Sequence, residues 1–208
     1  MPDIKHFDPD TALERAERLF WQHGTGSAQS SIQAVTTATG LNRSSLYATF
    51  GGKRDLYLAA LRRYLDRRAR PAFRQLAEDQ RGLPAIDDFF TTLIAVRCAG
   101  EHSGWGCMFV NAHTDPEHAH PEVRALLDEH HRLLREALRE ALRTAGRLGQ
   151  LPPSHPAEAT AETLALLAYG INLRSRAGAG AEELLSTLHT TLAHLCTHGE
   201  RPSPAPED

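Results

Sequence analysis

The stretch SSIQAVTTATGLNRSSLYATFGGKRDLY, residues 30–57, contains two short helical patterns separated by Gly40. Ser30 and Gln33 have the S-x-x-Q spacing of a capping box, which predicts the start of the first helix. Asn42 is a favourable N-cap for the second helix, and Gly40 can adopt the left-handed conformation that a tight turn requires. The stretch therefore predicts a helix-turn-helix.

The glycine-rich turn at Gly51-Gly52-Lys53 could instead belong to a nucleotide phosphate loop, G-x-x-x-x-G-K-[ST]. That motif needs a glycine five positions before Gly52, where this chain has Tyr47, and no strand pattern precedes the turn. The chain also lacks a G-x-S-x-G elbow and a G-x-G-x-x-G segment after a strand. We therefore exclude the nucleotide loop and expect no enzymatic activity.

A DNA-binding helix-turn-helix would place its second helix in the major groove. Arg pairs bidentately with guanine, and small or methyl-bearing side chains pack on the thymine methyl group, so the outer face of this helix could read bases. Hydroxyl groups, helix N-termini and an ammonium group could hold phosphates. The candidate DNA-binding residues are Ser30, Ser31, Arg43, Ser44, Ser45, Tyr47, Thr49 and Lys53.

The charge distribution supports a polyanion-binding N-terminal region. Residues 1–70 carry 11 Lys and Arg against 7 Asp and Glu, a net charge of +4, whereas the remainder carries −7. The sequence shows neither a membrane span nor a signal peptide, and its three cysteines have no CxxC spacing. We expect a cytoplasmic protein without a disulfide framework.

The rest of the chain also has a helical period and no strand pattern, so the predicted fold class is all-α. One helix is expected around GWGCMFVNA, residues 104–112, and a longer one, with a possible bend at Pro71, over residues 53–75. Further helices are expected at residues 9–23, 84–99, 121–147, 157–176 and 180–197.

The segment TATGLNRSSLYATFGGKRDLYLAAL, residues 37–61, resembles the turn, recognition helix and linking helix of the TetR family of bacterial transcriptional repressors. The resemblance is strong over residues 9–60 and includes Leu-Tyr-x-x-Phe followed by a Gly/Lys turn. Thr36 and Ala48 depart from it, since the family usually has Ala at the first position and often an aromatic or polar residue at the second.

The resemblance implies an N-terminal three-helix helix-turn-helix domain and a C-terminal helical bundle for ligand binding and dimerisation. We expect the DNA-binding domain over residues 1–52, a linking helix over 53–75, the effector-binding and dimerisation domain over 76–198, and a disordered tail over 199–208. The last two helices would form a homodimer, and ETLALLAYGI, residues 162–171, is apolar enough to be covered on two sides.

A pocket for a small-molecule effector is expected in the C-terminal region. Its candidate ligand-binding residues are Phe90, Leu93, Trp105, Cys107, Phe109, Asn111, Leu134, Tyr169 and Asn172. The Gly-Cys-hydrophobic segment at Cys107 is similar to one in many family members, and in some of them the cysteine senses electrophiles or oxidants. A helix N-terminus would favour the Cys107 thiolate, but a free cysteine is usually a small buried hydrophobe.

A metal site formed by Cys107 with His113, His118 and His120 is a weaker hypothesis, because their spacing matches no established zinc motif and prolines interrupt the segment. We therefore expect no metal or cofactor. The predicted function is a ligand-responsive repressor, released from a pseudo-palindromic DNA operator by a small apolar or electrophilic effector. The alternatives are a DNA-binding architectural protein without a ligand, and a thiol- or metal-responsive regulator that uses Cys107 and the nearby histidines.

Overall fold

The computed structural model describes residues 8–197, and all of the regular elements in this range are helical, which confirms the all-α prediction. The expected disordered tail, residues 199–208, lies outside the described range. The helices are α1 (Pro9–His23), α2 (Ile32–Thr39), α3 (Arg43–Phe50), α4 (Lys53–Tyr64), α5 (Arg70–Glu78), α6 (Leu83–Cys98), α7 (Met108–Ala112), α8 (Pro121–Arg147), α9 (Ala157–Arg176) and α10 (Ala181–Thr197).

The ends of α1 follow from local chemistry. The Asp8 side chain accepts hydrogen bonds from the amides of Asp10 and Thr11, and the Gly24 amide donates to the Phe20 carbonyl at 2.8 Å. Gly24 has a φ of 66°, in the left-handed region that glycine adopts without steric cost. These caps account for the predicted limits of the helix, residues 9 and 23.

The capping box predicted at Ser30 and Gln33 is wrong. Ser30 lies in a 3-10 turn, Ala28–Ser30, and the N-cap of α2 is Ser31, whose hydroxyl accepts from the Ala34 amide at 3.3 Å. The true N3 position is therefore Ala34, whose methyl side chain cannot return a hydrogen bond to the cap. Because Ser30 and Ser31 are adjacent, the sequence pattern could place the N-cap of α2 at either of them, and the prediction was displaced by one residue.

The segment predicted as one linking helix, residues 53–75, is helical throughout, but its backbone hydrogen-bond pattern changes along the segment. A π-helical turn, Leu65–Ala69, separates α4 from α5, and the Arg70 amide there donates to the Leu65 carbonyl. Pro71 has no N–H to donate to the carbonyl four residues earlier, so the α-helical pattern is already incomplete beside this turn.

The helices form two compact units that do not follow chain order. Of the described residues, the first unit contains 8–71 and Trp105–Arg132, and the second contains Ala72–Gly104 and 133–197. The first part of α8 therefore belongs to the first unit and its second part to the second unit. This grouping differs from the sequence-based segments, which assign all residues from 76 to 198 to one domain.

An aromatic cluster forms the centre of the first unit. Trp21 makes edge-to-face contacts with Tyr64 and Trp105, at ring-centroid distances of 5.1 Å and 5.3 Å, and its indole N–H donates to the Gly106 carbonyl at 2.9 Å. Phe20 makes a similar contact with Tyr57 at 5.3 Å. These rings pack α1 against α4 and hold the sequence-distant segment at Gly106 in the same core.

The second unit is built around α6, which packs against α9 and α10. The Gln150 side chain accepts a hydrogen bond from the Leu83 amide at 2.7 Å and donates to the Arg81 carbonyl at 2.9 Å. It thereby satisfies backbone groups at the start of α6.

A buried acid lies at the edge of the aromatic cluster. The Glu17 carboxylate is almost fully buried, and it accepts a hydrogen bond from the Arg68 Nε at 3.1 Å. The Arg68 guanidinium also lies over the Trp21 ring, 4.9 Å from its centroid. Burial raises the pKa of Glu17 despite the opposing effect of Arg68 and Arg63, because the charged carboxylate is the form that burial disfavours.

Replacement of Glu17 by Gln should therefore alter the pH dependence of stability. A raised pKa means that the folded state binds this proton more tightly than the unfolded state. The free energy of unfolding of the wild type, minus that of the variant, should fall as the pH rises from the ordinary Glu value of 4.5 through the raised pKa. Urea denaturation at a series of pH values measures this difference.

Glu14 provides the matched control for Glu17, because the hydrogen bond from Arg63 lowers the pKa of Glu14. The corresponding difference for Glu14→Gln should rise with pH. If the difference in unfolding free energy for Glu17→Gln also rises with pH, then Arg68 and Arg63 lower the pKa of Glu17 by more than burial raises it.

Candidate nucleic-acid interface

The geometry of a helix-turn-helix is present at α2 and α3. Gly40 has φ 75° and ψ 10°, the left-handed conformation, and its amide donates to the Thr36 carbonyl at 3.0 Å. The Asn42 side chain then accepts from the Ser45 amide and from the Ser44 hydroxyl, both at 2.7 Å. The turn residue and the N-cap predicted from sequence are both confirmed, and together they define where α3 begins.

The two faces of α3 differ in exposure as the sequence predicts. Leu46 is fully buried and Leu41, just before the helix, is also buried, so the inner face anchors α3 to the first unit. The residues with exposed side chains on and around the outer face are Arg43, Ser44, Tyr47, Ala48 and Thr49. Four of these five are polar, which suits an interaction with hydrated, charged DNA.

The Arg43 guanidinium stacks on a neighbouring ring. Its central carbon lies 5.8 Å from the centroid of the Tyr47 ring, one helical turn further along α3. Tyr47 is 44 % exposed, so it belongs to the surface and not to the core. A cation over an aromatic ring is favoured, and this contact holds the Arg43 side chain along the exposed face of the helix.

The serines separate into exposed and buried positions. Ser31 is exposed at the start of α2, and Ser45 is half-buried in the first turn of α3. Ser30, in contrast, is fully buried, and its hydroxyl donates to the Ser27 carbonyl at 3.1 Å. The interpretation of Ser30 as a phosphate ligand therefore does not fit the structure, because a contact with DNA requires an accessible hydroxyl.

Lys53 lies at the first position of α4. It is half-buried, and its ammonium group donates to the Thr25 carbonyl at 2.6 Å. An ammonium group has three N–H donors, so this bond leaves capacity for a phosphate oxygen. The N-cap of α4 is Gly52, which supplies no side-chain hydrogen bond to the helix start.

A second set of residues in the first unit, around Asp115, was not predicted from the sequence. The Asp115 carboxylate is buried and accepts hydrogen bonds from the amide and hydroxyl of Thr25, in the turn that leads from α1 to α2. Next to it, the Arg54 side chain donates to Glu117 at 2.5 Å. Burial raises the pKa of Tyr57, and the charges of Asp115 and Glu117 add to that shift. The sequence Gly24-Thr25-Gly26 predicts a turn, but it does not predict that Asp115, which is distant in sequence, binds this turn.

Four of the candidate effector residues lie in the first unit: Trp105, Cys107, Phe109 and Asn111. Cys107 is the N-cap residue of α7 and is 5 % exposed, and the Tyr64 hydroxyl approaches its Sγ at 3.7 Å. Phe109 is fully buried and stacks on the His130 ring at 4.4 Å. The Asn111 side-chain Nδ2 donates to the carbonyls of Trp105 and Trp21, and so joins these two backbone segments within the unit.

The other five candidates, Phe90, Leu93, Leu134, Tyr169 and Asn172, lie in the second unit. Phe90 and Leu134 are buried, whereas Leu93 and Tyr169 are half-buried. Asn172 is buried, accepts from the Arg97 Nε at 2.7 Å and donates to the Ala168 carbonyl at 2.8 Å. A buried arginine side chain in this unit is a polar feature that the sequence analysis did not predict.

Two further features, a metal-binding cluster and a membrane-spanning helix, are absent from residues 8–197. In this range the structure brings together no group of three or more His, Cys, Asp or Glu side chains that could hold a metal ion. None of the helices in the same range combines the length and the apolar character needed to cross a bilayer.

Comparison with family models gives two matches. Residues 12–60 match the model of the bacterial regulatory proteins of the tetR family. Residues 82–190 match the model of the tetracyclin repressor-like C-terminal domain. Together these two matches include the helix-turn-helix and most of the second unit.

Individual transcriptional regulators are also similar to this chain over most of its length. The HTH-type transcriptional repressor ComR of Escherichia coli (strain K12) is 32 % identical over 189 residues, which are 90 % of this chain and 89 % of ComR. The HTH-type transcriptional repressor BdcR of the same strain is 26 % identical over 188 residues, 88 % of this chain and 86 % of BdcR. A cysteine mutant of the TetR family transcriptional regulator CifR, solved with 26bp double-strand operator DNA, aligns with a TM-score of 0.78 at 27 % identity, over 91 % of this chain and 97 % of CifR.

Proposed function

The chain belongs to the TetR family of DNA-binding transcriptional regulators, and on this premise we propose that it is a ligand-responsive repressor that acts as a homodimer on a pseudo-palindromic operator in the cytoplasm. The observation that carries the proposal is the exposed polar face of α3 beyond a left-handed turn at Gly40. The names of ComR and BdcR, both called repressors, favour repression over activation.

The proposed DNA contacts divide into base-reading and phosphate-binding residues. Arg43 is the main candidate for base recognition, because its exposed guanidinium can donate two parallel hydrogen bonds to a guanine. Ser44 and Thr49 lie beside it on the exposed surface of α3. The proposed phosphate ligands are Ser31, Ser45, Tyr47 and Lys53, located at the starts of α2 and α4 and along α3.

Dimerisation is proposed through α9 and α10. Leu166 and Leu173 on α9 are 56 % and 61 % exposed, and their spacing of seven residues places them on the same helical face. Two exposed leucines on one face are costly to leave in water, and a second copy of the same helices would cover them. A two-fold dimer would present its two α3 helices to half-sites separated by about 34–36 Å, one turn of DNA, or a multiple.

An effector is proposed to bind in the region of residues 76–198 and to weaken DNA binding. To change operator occupancy from 99:1 to 1:99, the effector must prefer the released state by about 10⁴-fold. The 5 % exposure of Cys107 supports a packing role for this thiol, so a small apolar molecule is the favoured class of effector. Its binding would act on the spacing of the two α3 helices through residues 53–75.

The experiment that tests this function is recovery of genomic DNA fragments by the purified protein at about 150 mM salt, near physiological ionic strength, followed by sequencing. Enrichment of a few short pseudo-palindromes supports a specific regulator, and the neighbouring genes indicate effectors to test. Recovery of fragments without a shared motif would instead favour an architectural DNA-binding protein.

Replacement of Arg43 by Ala should weaken binding to the recovered operator by about 1–3 kcal/mol and relax the preference at one base pair. Arg43→Lys is the matched control, because it keeps the charge but loses the bidentate fork, so specificity should fall while the salt dependence remains. Fluorescence anisotropy with single-base operator variants measures both effects. Unchanged preference in Arg43→Ala would show that α3 reads DNA through other residues.

Replacement of Lys53 by Ala should weaken binding to all duplexes alike. Loss of one phosphate contact per protomer should reduce the slope of log K against log salt concentration by about 0.9 per protomer. Anisotropy titrations at several salt concentrations measure the slope. An unchanged slope would mean that the bond to the Thr25 carbonyl is the main role of the Lys53 ammonium.

The double substitution Leu166→Asp and Leu173→Asp should convert the dimer to a monomer, because it places like charges on both sides of the proposed interface. Light scattering after size-exclusion chromatography gives the mass directly. Leu148→Asp is the control, since Leu148 is similarly exposed, at 53 %, but lies outside both helices. A double variant that remains dimeric would exclude this face of α9.

A further inference from the structure

We propose that Asp115 is a positioning residue for DNA binding, which holds the turn between α1 and α2 and, through that turn, the Lys53 ammonium group. Asp115 lies outside the part of the chain that matches the N-terminal family model, yet it belongs to the first compact unit. The inference deepens the proposed function and rests on it.

Hydrogen bonds join three residues in series: Asp115, Thr25 and Lys53. The Asp115 Oδ2 accepts from the Thr25 amide at 2.6 Å, and its Oδ1 accepts from the Thr25 hydroxyl and from the Glu117 amide. The Thr25 carbonyl in turn accepts from the Lys53 ammonium at 2.6 Å. Thr25 is itself buried, so the amide, hydroxyl and carbonyl of one residue join the Asp115 carboxylate to the start of α4.

The turn is shaped to receive Asp115 and Pro116. A Cβ atom added to Gly24 would lie 2.9 Å from the Asp115 Oδ2, and one added to Gly26 would lie 2.8 Å from the Pro116 Cγ. Gly26 does not have a positive φ, so close approach to Pro116, and not backbone conformation, accounts for glycine there. The turn at Gly24 and Gly26 therefore has no room for a methyl group on the side that faces Asp115 and Pro116.

The position of the turn connects these contacts to DNA binding. Thr25 is followed by the 3-10 turn Ala28–Ser30 and then by Ser31, the N-cap of α2. Lys53 is the first residue of α4. The Asp115 carboxylate therefore holds the turn that precedes α2 directly and, through the Thr25 carbonyl, the start of α4, which follows α3.

The sign of the charge makes this role testable. A carboxylate in a DNA-binding unit repels phosphates, so general electrostatics predicts that neutralising Asp115 strengthens DNA binding. A positioning role predicts the opposite, because the Thr25 turn and the Lys53 ammonium would lose their fixed geometry. The two explanations therefore differ in the direction of the change.

The main variant is Asp115→Asn, which keeps the shape of the side chain. In either orientation, the Asn amide would place its NH₂ group against a backbone N–H, that of Thr25 or that of Glu117. Glu117→Gln is the matched control, because it removes the same charge from the same loop but leaves the chain of bonds through Thr25 intact. Its exposed partner Arg54 remains solvated.

A second pair of variants tests the turn without changing any charge. Gly26→Ala inserts a methyl group against Pro116, whereas Gly146→Ala adds a methyl group that meets no atom within 4 Å. A third pair tests the hydroxyl: Thr25→Ser retains the donor to Asp115, and Thr25→Val removes it.

The probe is the duplex most enriched by the wild-type protein from a random-sequence library, compared with a scrambled duplex of the same length. We expect Asp115→Asn, Gly26→Ala and Thr25→Val each to weaken binding to the enriched duplex by about tenfold or more, equivalent to about 1.4 kcal/mol. Glu117→Gln, Gly146→Ala and Thr25→Ser should bind as tightly as the wild type or more tightly. Circular dichroism melting records the folding of each variant.

The outcomes separate the inference from the proposed function. A wild type that enriches no duplex overturns both. The inference alone is overturned if the wild type enriches a duplex and a folded Asp115→Asn variant binds that duplex equally well or more tightly. The melting temperature of the folded variant does not change this conclusion. If Asp115→Asn does not fold, the Thr25 variants test the inference. Weaker DNA binding by Thr25→Val, together with wild-type binding by Thr25→Ser, supports the inference. Wild-type binding by Thr25→Val overturns it.

Discussion

The burial of the Trp21 indole is the interaction on which the first unit depends. Its ring contacts Tyr64 on α4 and Trp105 in a segment more than 80 residues away, and its N–H reaches the Gly106 carbonyl. A buried indole N–H needs an acceptor, so the ring can be accommodated only if that segment is in place. The helix-turn-helix is therefore part of a core that includes α7 and the beginning of α8, and is not a separate module formed by the first 60 residues alone.

Much of the fold could be predicted from periodicity and end signals. The limits of α1 and α8 follow from proline, glycine and a continuous apolar stripe, which are local features. The errors came from positions where local signals compete or are incomplete. Ser30 and Ser31 are equally good caps by sequence, and only the tertiary burial of Ser30 decides between them. The π-helical turn at Leu65–Ala69 has no pattern that distinguishes it from ordinary helix.

The candidate site was predictable to the extent that it is a surface of one short helix. Arg43, Tyr47 and Thr49 are exposed as the helical period requires. The effector candidates were less predictable, because apolar side chains at helical spacing have the same pattern in a pocket and in a core. Asp115 could not be found from sequence, since its partner Thr25 is 90 residues away and no local pattern relates the two. Long-range polar contacts are a property of the packed chain.

The aromatic cluster also gives the protein a built-in optical reporter. The chain contains two tryptophans, and both of them, Trp21 and Trp105, belong to the first unit with their rings 5.3 Å apart. Intrinsic tryptophan emission therefore arises only from the unit that contains α3, and the second unit contributes none. With excitation that selects tryptophan over the tyrosines, which include Tyr169 in the second unit, one spectrum follows the unit that contains α3 without a label.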